Sequence, residues 1–572
     1  MTRETMSATL QEIALLLELK GENPFKIRAY RNGADVIDAY PGDIVQDAAD
    51  DKLKGTKGIG DALQQKLHEL ATTDGLEFYE NLKGEFPDTI HELFDIQGLG
   101  PKKIKALYDS MGVDSVAKLK EVCESGQVSE LSGFGKKSVE KILEAIEFRE
   151  QNASRFRLEE VAGVVDTVLD YLKAHPAVSR AEAAGSWRRS KETVHDVDFI
   201  CETTDTAAVT KHFVDGPFVE NVIVHGDTKA SIHVAKGIQC DVRAVEATEY
   251  PFALNYFTGS KEHNVAMRSR ALGRGYTLNE YRLAPTGDEP GPGKIQTEED
   301  LYKFLGMDYV EPELRENTGE IDAAENGSLP NLVEQMNLRG TFHNHTLASD
   351  GKATLEQMAD AAMELGLDYL GIADHSKASF QANGLDADRL LAQVAEIQEL
   401  NKGFDGFRLF SGSEVDILTD GDLDYDDDVL SQLDYTVASV HNAMTQSEAK
   451  MTERIIKAIS NPHVTMLGHL TGRLLLKRDP YAVDVPAIIE ACAETDTIIE
   501  LNANPWRLDM DWRWWKLAKE KGVKCAINPD AHDTGGLQYL HFGVRIARKG
   551  WLEREDIVNC LPLADIEKLL AK

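Results

Sequence analysis

The sequence predicts a multidomain protein whose 572 residues combine a helical N-terminal region, an α+β middle and a C-terminal α/β barrel. Three observations support this assignment. Gly-x-Gly turns recur between helical segments in residues 1–150, strand-like runs mix with helices in residues 151–310, and apolar runs alternate with helices from residue 338 onward. A chain of this length also exceeds what one hydrophobic core can hold, which favours several domains.

The composition excludes some classes of function. A formal net charge of −35 gives no general attraction to nucleic acid, so any contact with DNA must come from local basic groups and bound cations. No apolar run reaches membrane-spanning length and the N-terminus lacks the features of a secretory signal, so a cytoplasmic location is expected. Without a CxxC pair, the cysteines are expected to be reduced, mostly buried thiols; they are Cys123, Cys201, Cys240, Cys492, Cys525 and Cys560.

The N-terminal region is predicted to be wholly helical and to contain a divergent repeat. The segments KGIGDALQQKL (57–67), QGLGPKKIKAL (97–107) and SGFGKKSVEKIL (132–143) each place a Gly-x-Gly turn directly before a helix. Such glycines allow close backbone approach, and the helix N-terminus presents free N–H groups to a phosphate. The candidate residues are Gly58, Gly60, Gly98, Gly100, Gly133 and Gly135, with Lys102, Lys103, Lys136 and Lys137 directly after the turns.

The C-terminal region predicts a parallel barrel. Its seven apolar runs are RGTFHNH, DYLGIADH, FRLFSGSEV, DYTVASVH, VTMLGHL, TIIELNAN and KCAINPDAH, and helical stretches separate them. The segment before them, TGEIDAAENGSLP (318–330), is predicted to be an interdomain linker. All but one of the runs have a histidine or a carboxylate as their last residue or the one before it, and in such a barrel the strand ends converge on one face. The residues at these ends are His343, His345, Asp350, His375, Glu414, His441, His469, Asp530 and His532.

Nine imidazoles and carboxylates at one barrel mouth predict bound cations, since cations would neutralise and order them. Mixed sets of histidine and carboxylate ligands suit Zn²⁺ or Mn²⁺, and a shared carboxylate such as Glu414 can bridge two ions. Adjacent ions can activate water and hold a phosphoryl oxygen at the same time, as hydrolysis of a phosphodiester requires.

The pattern HNHT, SDG, ADHS, SVH, GHL and PDAH resembles the PHP (polymerase and histidinol phosphatase) family over residues 338–572. The resemblance implies a distorted seven-stranded barrel with a site for up to three metal ions. It assigns to the first ion His343, His345, Glu414 and Asp530. It assigns to the second Glu414, His441 and His469, and to the third Asp350, His375 and His532. Asn344 is not a ligand in this pattern.

The middle region carries a second candidate metal site. In HDVDFI, Asp196 and Asp198 alternate along a strand and therefore lie on one face, and the later strand IQCDVRAV adds Asp241. Three carboxylates that cannot neutralise one another predict divalent cations. A pair of Mg²⁺ ions could serve the in-line attack of a 3′-hydroxyl on an α-phosphate.

The segment GSWRR, upstream of these carboxylates, completes a nucleotidyltransferase pattern. The backbone at Gly185 and Ser186 would approach a triphosphate, with Arg188 and Arg189 opposing its charge. A DxD pair alone is common on protein surfaces, whereas GSxRR, HDVD and a third aspartate on a strand are together specific to nucleotidyltransferases.

The segment YFTGSKEHNVAMR (256–268) resembles the part of family X DNA polymerases that packs on the incoming nucleotide. The resemblance implies nucleotide-binding roles for Tyr256, Phe257, Gly259, Asn264 and Arg268. The aromatic pair would line the sugar, the asparagine would touch the base edge, and the arginine would face the template. Alone, the two aromatic residues would more often be core residues.

Two neighbours of Asp241 bear on the same resemblance. Arg243 is in the expected place, whereas Gln239 stands where vertebrate repair polymerases tend to have arginine. This difference bears on how Asp241 is held and removes no metal ligand.

The polymerase resemblance also implies that the Gly-x-Gly segments are helix-hairpin-helix motifs, which grip the DNA backbone without reading its sequence. KIRAYRNGADVIDAYP with GIGDALQQK resembles the small lyase domain of repair polymerases, where Lys66 falls at the Schiff-base lysine. Lys57 would be the neighbouring cation that activates this amine. A family lysine is replaced by Ala62, and a solvated helix lysine remains an equal alternative, with binding of a 5′-phosphate as the simpler role.

These resemblances predict a family X DNA polymerase that fills short gaps in DNA repair, with a barrel that acts as a metal-dependent 3′–5′ exonuclease. A further activity considered for the barrel is cleavage at abasic or blocked 3′ sites. The expected partners are gapped or nicked DNA and dNTPs, with no membrane, and the expected state is a monomer. The expected ions are Mg²⁺ or Mn²⁺ at the aspartates and Zn²⁺ or Mn²⁺ at the barrel. Alternatives are a purely structural barrel, a barrel that is a small-molecule phosphatase, and a template-independent nucleotidyltransferase.

The expected domains follow the motifs along the chain. They are a lyase-like, 5′-phosphate-binding domain at 1–85, a DNA-binding helix-hairpin-helix region at 86–150, a palm at 151–250, a nucleotide-selection subdomain at 251–317, a linker at 318–337 and the PHP domain at 338–572.

Overall fold

Helices account for the regular structure of the first 153 residues, as the sequence predicts. The computed structural model describes residues 1–38, 40, 42–73, 75–96 and 98–571, and separates Met1–Ala153 from Ser154–Lys572 as two compact units. The helices of the first unit are α1 (Arg3–Lys20), α2 (Pro24–Asp38), α3 (Ile44–Ala49), α4 (Asp61–Thr73), α5 (Glu77–Lys83), α6 (Pro101–Met111), α7 (Val116–Glu124) and α8 (Lys136–Asn152). They enclose two apolar cores, one beneath α1–α5 and one beneath α6–α8.

All three Gly-x-Gly turns have the structure that the sequence predicts. The first glycine of each turn has a left-handed backbone, with φ of 94° at Gly58, 88° at Gly98 and 91° at Gly133. Glycine adopts this conformation without steric cost. Helices α4, α6 and α8 begin directly after the second glycine. Gln97, which opens the second segment, lies outside the described residues.

The second unit begins with a palm that contains helices and a five-stranded sheet. Its helices are α9 (Leu158–Lys173), α10 (Gly185–Arg188) and α11 (Thr206–Val214). Its strands are β1 (Phe156–Arg157), β2 (Val178–Ala183), β3 (Thr193–Val194), β4 (Asp196–Thr203), β5 (Asn221–His225), β6 (Lys229–Val234) and β7 (Ile238–Val245). The order of strands in the sheet is β2-β4-β7-β6-β5. Strands β4 and β7 run parallel, and the other neighbours in the sheet are antiparallel.

Alternation along β4 and β7 separates the palm's core from its candidate site. Val197 and Phe199 on β4, with Cys240 and Val242 on β7, are buried in the core together with apolar residues of α9 and α11. Successive side chains of a strand point to opposite faces, so the aspartates between them occupy the other face.

A smaller subdomain follows the palm. It consists of α12 (Tyr250–Thr258), α13 (Lys261–Gly273), β8 (Tyr276–Leu278), β9 (Leu283–Pro285), α14 (Glu298–Phe304) and α15 (Glu320–Asn326). Strands β8 and β9 form an antiparallel hairpin, and apolar residues of α13, α14 and α15 share one core with it.

The prediction of a linker at 318–330 is wrong over its first half, where α15 forms. Glu320 is fully buried, and its Oε1 lies 2.7 Å from Nδ1 of His263, whose Nε2 lies 3.0 Å from the Tyr302 hydroxyl. The same carboxylate accepts hydrogen bonds from the backbone N–H groups of Asn317 and Thr318. Polar, glycine-containing composition suggested a linker, but the buried partner of Glu320 lies 57 residues away in sequence and could not be anticipated.

The remainder of the chain forms a seven-stranded parallel sheet whose strands follow one another in chain order. They are β10 (Gly340–Thr341), β11 (Tyr369–Ile372), β12 (Arg408–Asp416), β13 (Tyr435–Ser439), β14 (Met466–Leu467), β15 (Ile498–Asn502) and β16 (Cys525–Asn528). The intervening and following helices are α16 (Leu355–Glu364), α17 (Ala387–Leu400), α18 (Asp427–Leu430), α19 (Glu448–Ile459), α20 (Val485–Thr495), α21 (Trp515–Glu520), α22 (Leu540–Lys549) and α23 (Leu563–Leu570). Each of the seven predicted runs corresponds to one of these strands, and only β12 extends beyond its run, by Asp416.

The first and last strands of the barrel are joined at their C-terminal ends. The N–H of Phe342 donates to the Asn528 side chain at 3.1 Å, and the N–H of His345 donates to the carbonyl of Ala531 at 2.8 Å. This junction brings the loops after β10 and β16 together at the barrel mouth. The predicted distorted barrel is therefore confirmed.

Two further expectations can be compared with the structure. All six cysteines are buried and free of disulfides, as predicted. Within the described residues, no helix combines the length and the apolar character needed to cross a membrane.

We predict that Glu320→Ala destabilises the second unit by about 2–3 kcal/mol, because His263 and two backbone N–H groups lose a buried charged acceptor. Urea unfolding gives the change in the free energy of unfolding, and hydrogen exchange of residues 317–326 shows whether α15 frays. Glu325→Ala on the same helix is the matched control, since the Glu325 side chain is 49% exposed in its ion pair with Arg270, and such a pair contributes about 1 kcal/mol or less. Equal effects of the two substitutions would contradict the role of the buried pair.

Candidate active sites

The three aspartates predicted from the sequence lie on neighbouring strands of the palm. Asp198 on β4 pairs in register with Asp241 on β7, and Asp196 is two residues before Asp198 on the same face. Burial, followed by the charges of Asp196 and Asp241, raises the pKa of Asp198 to about 7. Three carboxylates in this arrangement repel one another and fit divalent cations.

The side chain of Asp241 has two polar neighbours. Gln239 donates from Nε2 to Asp241 Oδ1 at 3.0 Å, and Lys229 Nζ lies 3.6 Å from Asp241 Oδ2. Gln239, the residue at which the sequence departs from vertebrate repair polymerases, therefore holds Asp241 by a neutral hydrogen bond. The guanidinium of Arg243 instead lies 4.1 Å from the ring centre of Phe257.

Gly185 lies directly against this carboxylate cluster. Its φ is 63°, and a Cβ atom at this position would lie 2.5 Å from Oδ2 of Asp198. Glycine is therefore required for two reasons, the left-handed backbone and the close approach of a side chain. Ser186, Arg188 and Arg189 follow it in and after the short helix α10.

Arg188 and Arg189 have protein partners that the sequence did not indicate. Arg188 donates to Glu298 Oε2 at 2.8 Å and to the Thr258 hydroxyl at 2.8 Å. Arg189 donates to Glu316 Oε1 at 3.0 Å and to the Thr258 carbonyl at 2.7 Å. Both guanidiniums thus join the palm to the subdomain that follows it, and their predicted contact with a triphosphate stays a prediction.

The predicted nucleotide-binding string spans the end of α12 and the start of α13. The Asn264 amide donates to the carbonyls of Tyr256 at 2.7 Å and Gly259 at 3.2 Å, and a Cβ at Gly259 would lie 2.8 Å from Asn264 Oδ1. Tyr256 and Phe257 are partly buried, with their rings edge to face at 5.1 Å, and Arg268 is exposed. The aromatic pair therefore lies at the edge of the core, where its predicted role remains open.

The lysines after the Gly-x-Gly turns differ in their surroundings. Lys102, Lys136 and Lys137 are exposed. Lys103 Nζ instead donates to the Gly98 carbonyl at 2.9 Å and lies 3.4 Å from the Ser138 hydroxyl, which joins the second and third turns. Its predicted contact with phosphate would compete with these hydrogen bonds.

Lys66, the candidate lyase residue, lies on α4 above an aromatic ring. Its Nζ is 4.9 Å from the centre of the Phe78 ring, and Lys26 Nζ is 5.5 Å from the same centre. Lys26 is thus a second cation over the same ring that the sequence did not indicate, and activation of Lys66 by Lys57 stays a prediction. Lys66 Nζ also lies 3.5 Å from the carbonyl of Ala62.

All nine predicted metal ligands of the barrel converge at the C-terminal ends of its strands. Glu414 is the centre of the cluster: His375, His469, His441 and His343 place a ring nitrogen 2.8, 2.9, 3.1 and 3.3 Å from its oxygens. The remaining ligands, His345, Asp350, Asp530 and His532, complete the cluster on the side of β10 and β16.

Three groups of potential ligands lie close enough together to hold one ion each, with their atoms within 4.8 Å. The first contains His345, Asp350, His375 and His532, the second His343, His345 and Asp530, and the third His375, Glu414 and His441. The family pattern placed His375 only with Asp350 and His532. Here His375 also faces Glu414, while His469 approaches Glu414 outside these groups.

The electrostatics of the cluster couple imidazoles to carboxylates. Burial opposes ionisation of Glu414, but His441, His343 and His375 hold its pKa well below the usual value. Burial likewise opposes protonation of His441, whose pKa Glu414 and Asp416 raise to about 10. Without a metal ion, protonated histidines thus stabilise the negative charge of Glu414, and a bound cation would stabilise the same negative charge.

The fit to metal ions rests on ring nitrogens that have no hydrogen bond. Buried nitrogens of His343, His345 and His375 face carboxylate oxygens at 2.8–3.9 Å without hydrogen-bond geometry. Buried polar atoms usually find partners, and orphaned nitrogens that point toward shared carboxylates are the arrangement that cations would satisfy. Mixed histidine and carboxylate donors suit Zn²⁺ and Mn²⁺.

Comparison with known proteins identifies the family. Family models match a helix-hairpin-helix domain at 1–76, a SAM-like helix-hairpin-helix tandem at 90–147, a DNA polymerase beta thumb at 253–316 and a PHP domain at 341–504. The chain is 36% identical over 577 residues to the DNA polymerase/3′-5′ exonuclease PolX of Bacillus subtilis (strain 168), and the match covers 100% of both chains. The chain belongs to the PolX family of DNA polymerases. The resemblance and the fold class predicted from the sequence are therefore confirmed.

Shorter matches reach proteins described as phosphatases. A probable phosphatase of Thermoanaerobacter sp. (strain X514) is 25% identical over 228 residues, which cover 38% of this chain and 88% of that protein. A probable phosphatase of Clostridium acetobutylicum is 25% identical over 201 residues, which cover 33% of this chain and 78% of that protein.

A ring of supporting residues around the PolX barrel site was missed by the sequence analysis. Glu500 on β15 places Oε2 2.7 Å from His343 Nδ1 and accepts from the backbone N–H of His469 at 2.9 Å. Asp416 places Oδ1 3.2 Å from His441 Nδ1. A glutamate inside the apolar run TIIELNAN was the available signal, because a carboxylate buried within a strand needs a partner.

We predict that Gly185→Ala reduces binding of Mn²⁺ to the palm by tenfold or more, because the new methyl group would displace the Asp198 carboxylate. Titration of Mn²⁺ in a protein with the barrel cluster disabled measures this affinity. Gly163→Ala is the control, since a Cβ there meets nothing within 4 Å. Unchanged Mn²⁺ affinity in Gly185→Ala would show that the carboxylate tolerates the displacement.

We predict that Glu500→Gln lowers the affinity of the barrel for Zn²⁺ or Mn²⁺ by about 10–100-fold, because His343 loses its charged hydrogen-bond partner. Metal content per chain after dialysis, and calorimetric titration of the metal, measure the effect. Glu490→Gln is the matched control, because Glu490 is exposed and pairs with Lys521 at the surface. Full metal occupancy in the Glu500 variant would count against its supporting role.

Proposed function

We propose that this PolX-family chain is a DNA polymerase that fills short gaps during DNA repair and that its barrel is a metal-dependent 3′–5′ exonuclease. The observation that carries the proposal is the presence of two complete sets of ligands, three aspartates in the palm and nine groups in the barrel, in a chain similar to PolX over its full length. Each set supports one of the two activities in the name of that relative.

At the palm, Asp196, Asp198 and Asp241 would hold Mg²⁺ or Mn²⁺. These ions would supply the positive charge that binds a triphosphate and favours attack by a 3′-hydroxyl. Gly185 keeps the backbone close to Asp198, and Gly185 and Ser186 would bind the triphosphate. Other nucleotide contacts come from Tyr256, Phe257, Gly259, Asn264 and Arg268, with Arg188 and Arg189 supporting them.

At the barrel, the nine-residue cluster would hold up to three Zn²⁺ or Mn²⁺ ions. These ions would supply charge for water activation and for the phosphoryl oxygens of a scissile phosphodiester. Glu500 and Asp416 orient the rings of His343 and His441. The ordered, complete cluster weighs against a purely structural barrel, because burying these groups without a function would be costly.

The N-terminal unit would hold the DNA. Open space surrounds Gly98, Gly100, Gly133 and Gly135, so a phosphate can approach the backbone there. Gly58 and Gly60 would serve the first turn, with binding of a 5′-phosphate as the role of this region. Lyase chemistry at Lys66 and action at abasic sites are further proposals, as are a monomeric state and the use of gapped or nicked DNA with dNTPs.

Similarity to probable phosphatases favours one second candidate, a barrel that hydrolyses small phosphate esters. The matched length of 228 residues is close to that of the barrel. Fold-level similarity allows this reading, because one fold can host several chemistries.

We predict that Asp198→Ala lowers dNTP incorporation on a 5′-phosphorylated one-nucleotide gap by at least about 100-fold while 3′ trimming with Mn²⁺ persists, because it removes a ligand of the palm only. His343→Ala should show the reverse pattern. Gel assays on end-labelled DNA measure both activities in the same preparations. Asp215→Ala and His541→Ala are matched controls at exposed positions and should behave as wild type.

The outcomes of this experiment separate the candidate functions. Loss of both activities in each single variant would contradict two independent sites. Retained trimming in His343→Ala would contradict a catalytic barrel. Release of phosphate from p-nitrophenyl phosphate, with no cleavage of DNA by the wild type, would favour the phosphatase.

A further inference from the structure

The short palm helix α10 and the turn after it are bound by a helix of the barrel. Residues 185–190, here called the glycine-serine loop, begin beside Asp198 and end at Ser190, which is buried and has φ of 54°. The barrel helix α22 reaches the far end of this loop with the side chains of Arg545 and Lys549. The loop therefore lies between the palm carboxylates and the barrel.

Arg545 binds the loop at three points. Its Nε donates to the Ser190 hydroxyl at 3.1 Å, its Nη2 donates to the Trp187 carbonyl, and its guanidinium lies 4.1 Å from the centre of the Trp187 ring. Among the described residues, no carboxylate lies within ion-pair distance of this arginine. Its hydrogen bonds are thus directed to the loop.

Lys549 binds Arg189, which lies between the two loop residues bound by Arg545, and its side chain is fully buried. Its Nζ donates to the Arg189 carbonyl at 2.8 Å and to Glu316 Oε1 at 2.7 Å. Glu316 Oε1 also accepts from Nε of Arg189 at 3.0 Å. Lys549 therefore holds the backbone of Arg189 directly and its side chain through the shared carboxylate.

The positively charged side chains of Arg545 and Lys549 lie at the C-terminal, carbonyl end of α10. The last carbonyls of a helix lack intrahelical partners, and positive groups there are favourable. The opposite end of the loop contacts the carboxylate site directly, since Gly185 packs on Asp198 and the N–H of Ala184 donates to the Asp198 carbonyl at 2.8 Å. A shift at the barrel end would therefore move the backbone beside the carboxylates.

We propose that Arg545 and Lys549 of the barrel are positioning residues for the polymerase reaction, which hold the glycine-serine loop in the shape that binds the incoming triphosphate. This inference rests on the proposed polymerase function. It makes the barrel part of the nucleotide-binding apparatus in addition to any chemistry at its own metal cluster, and it distinguishes the structural contribution of the barrel from its hydrolytic one.

A neighbour on the same helix gives a matched comparison. Arg548 also faces the rest of the second unit, but it donates to Glu313 at 2.6 Å and to the Val333 carbonyl at 3.2 Å. Neither of these partners belongs to the glycine-serine loop. Arg548→Met therefore removes a similar charge and a similar length of side chain from α22 without removing a hydrogen bond to the loop.

The test is single-turnover incorporation of one dNTP on gapped DNA, using the full chain and a range of dNTP concentrations. Arg545→Met and Lys549→Met should each raise the Kd of the dNTP by about tenfold, with less than a threefold change in the maximal rate, because binding and not the chemical step depends on the loop. Arg545→Lys should recover part of the affinity. Exonuclease rates should stay within twofold of wild type, and Arg548→Met should match the wild type in every measurement.

Ser190→Ala provides a variant with little risk of misfolding, since it removes only the hydroxyl acceptor of Arg545; it should raise the Kd by about threefold. A wild-type Kd in Ser190→Ala and Arg545→Met would overturn the proposal. So would an equal rise in Arg548→Met, which would indicate general loosening of the contact between palm and barrel. If the wild type trimmed DNA but incorporated no dNTP, the proposed polymerase function would be wrong. That result concerns the wild type alone, so it is distinguishable from a failure of the positioning proposal, which is measured by the Kd of the variants.

Discussion

Burial of charged groups that the fold brings together is the constraint on which both candidate sites depend. In the palm, the parallel pairing of β4 with β7 sets Asp198 in register with Asp241. In the barrel, parallel strands deliver Glu414 and Asp530 to one mouth together with six histidines. The cost of such clusters in a low-dielectric setting is large, and divalent cations offset it. The fold therefore places charged groups where bound divalent cations are needed to stabilise them.

The same constraint shapes the contact between the palm and its neighbours. Glu298 and Glu316 are buried carboxylates, and burial opposes their ionisation, but arginine and lysine side chains hold the pKa of each at about 2. Arg315 and Arg188 form ion pairs with Glu298. Lys549 and Arg189 form ion pairs with Glu316. Removing one partner of such a group leaves a buried charge unpaired, which is strongly destabilising. These networks therefore fix the palm against the subdomain after it and against the barrel.

The sequence predicted what depends on local pattern. The three Gly-x-Gly turns and the seven barrel strands followed from spacing and alternation, because these properties involve neighbours in the chain. The convergence of the nine ligands then followed from the barrel itself, whose strand ends meet on one face. It could not predict Glu500 as the partner of His343, since 157 residues separate them. For the same reason it assigned Arg188 and Arg189 to a triphosphate without seeing Glu298 and Glu316, and assigned a linker where α15 packs on His263. Composition gives no access to a partner brought close only by folding.

The pairing of Arg188 and Arg189 changes how a triphosphate must be bound. Both guanidiniums already donate hydrogen bonds to Glu298, Glu316 and Thr258, so these donors are not free for an anion that approaches the loop. The chain as a whole carries a net charge of −35 and repels such an anion. Most of the attraction for the triphosphate must therefore come from divalent ions at the three aspartates, with the loop supplying shape and backbone hydrogen bonds. The proposal that the barrel helix affects affinity for the nucleotide rests on this division of roles, because a loop that supplies shape and backbone hydrogen bonds must be held in position.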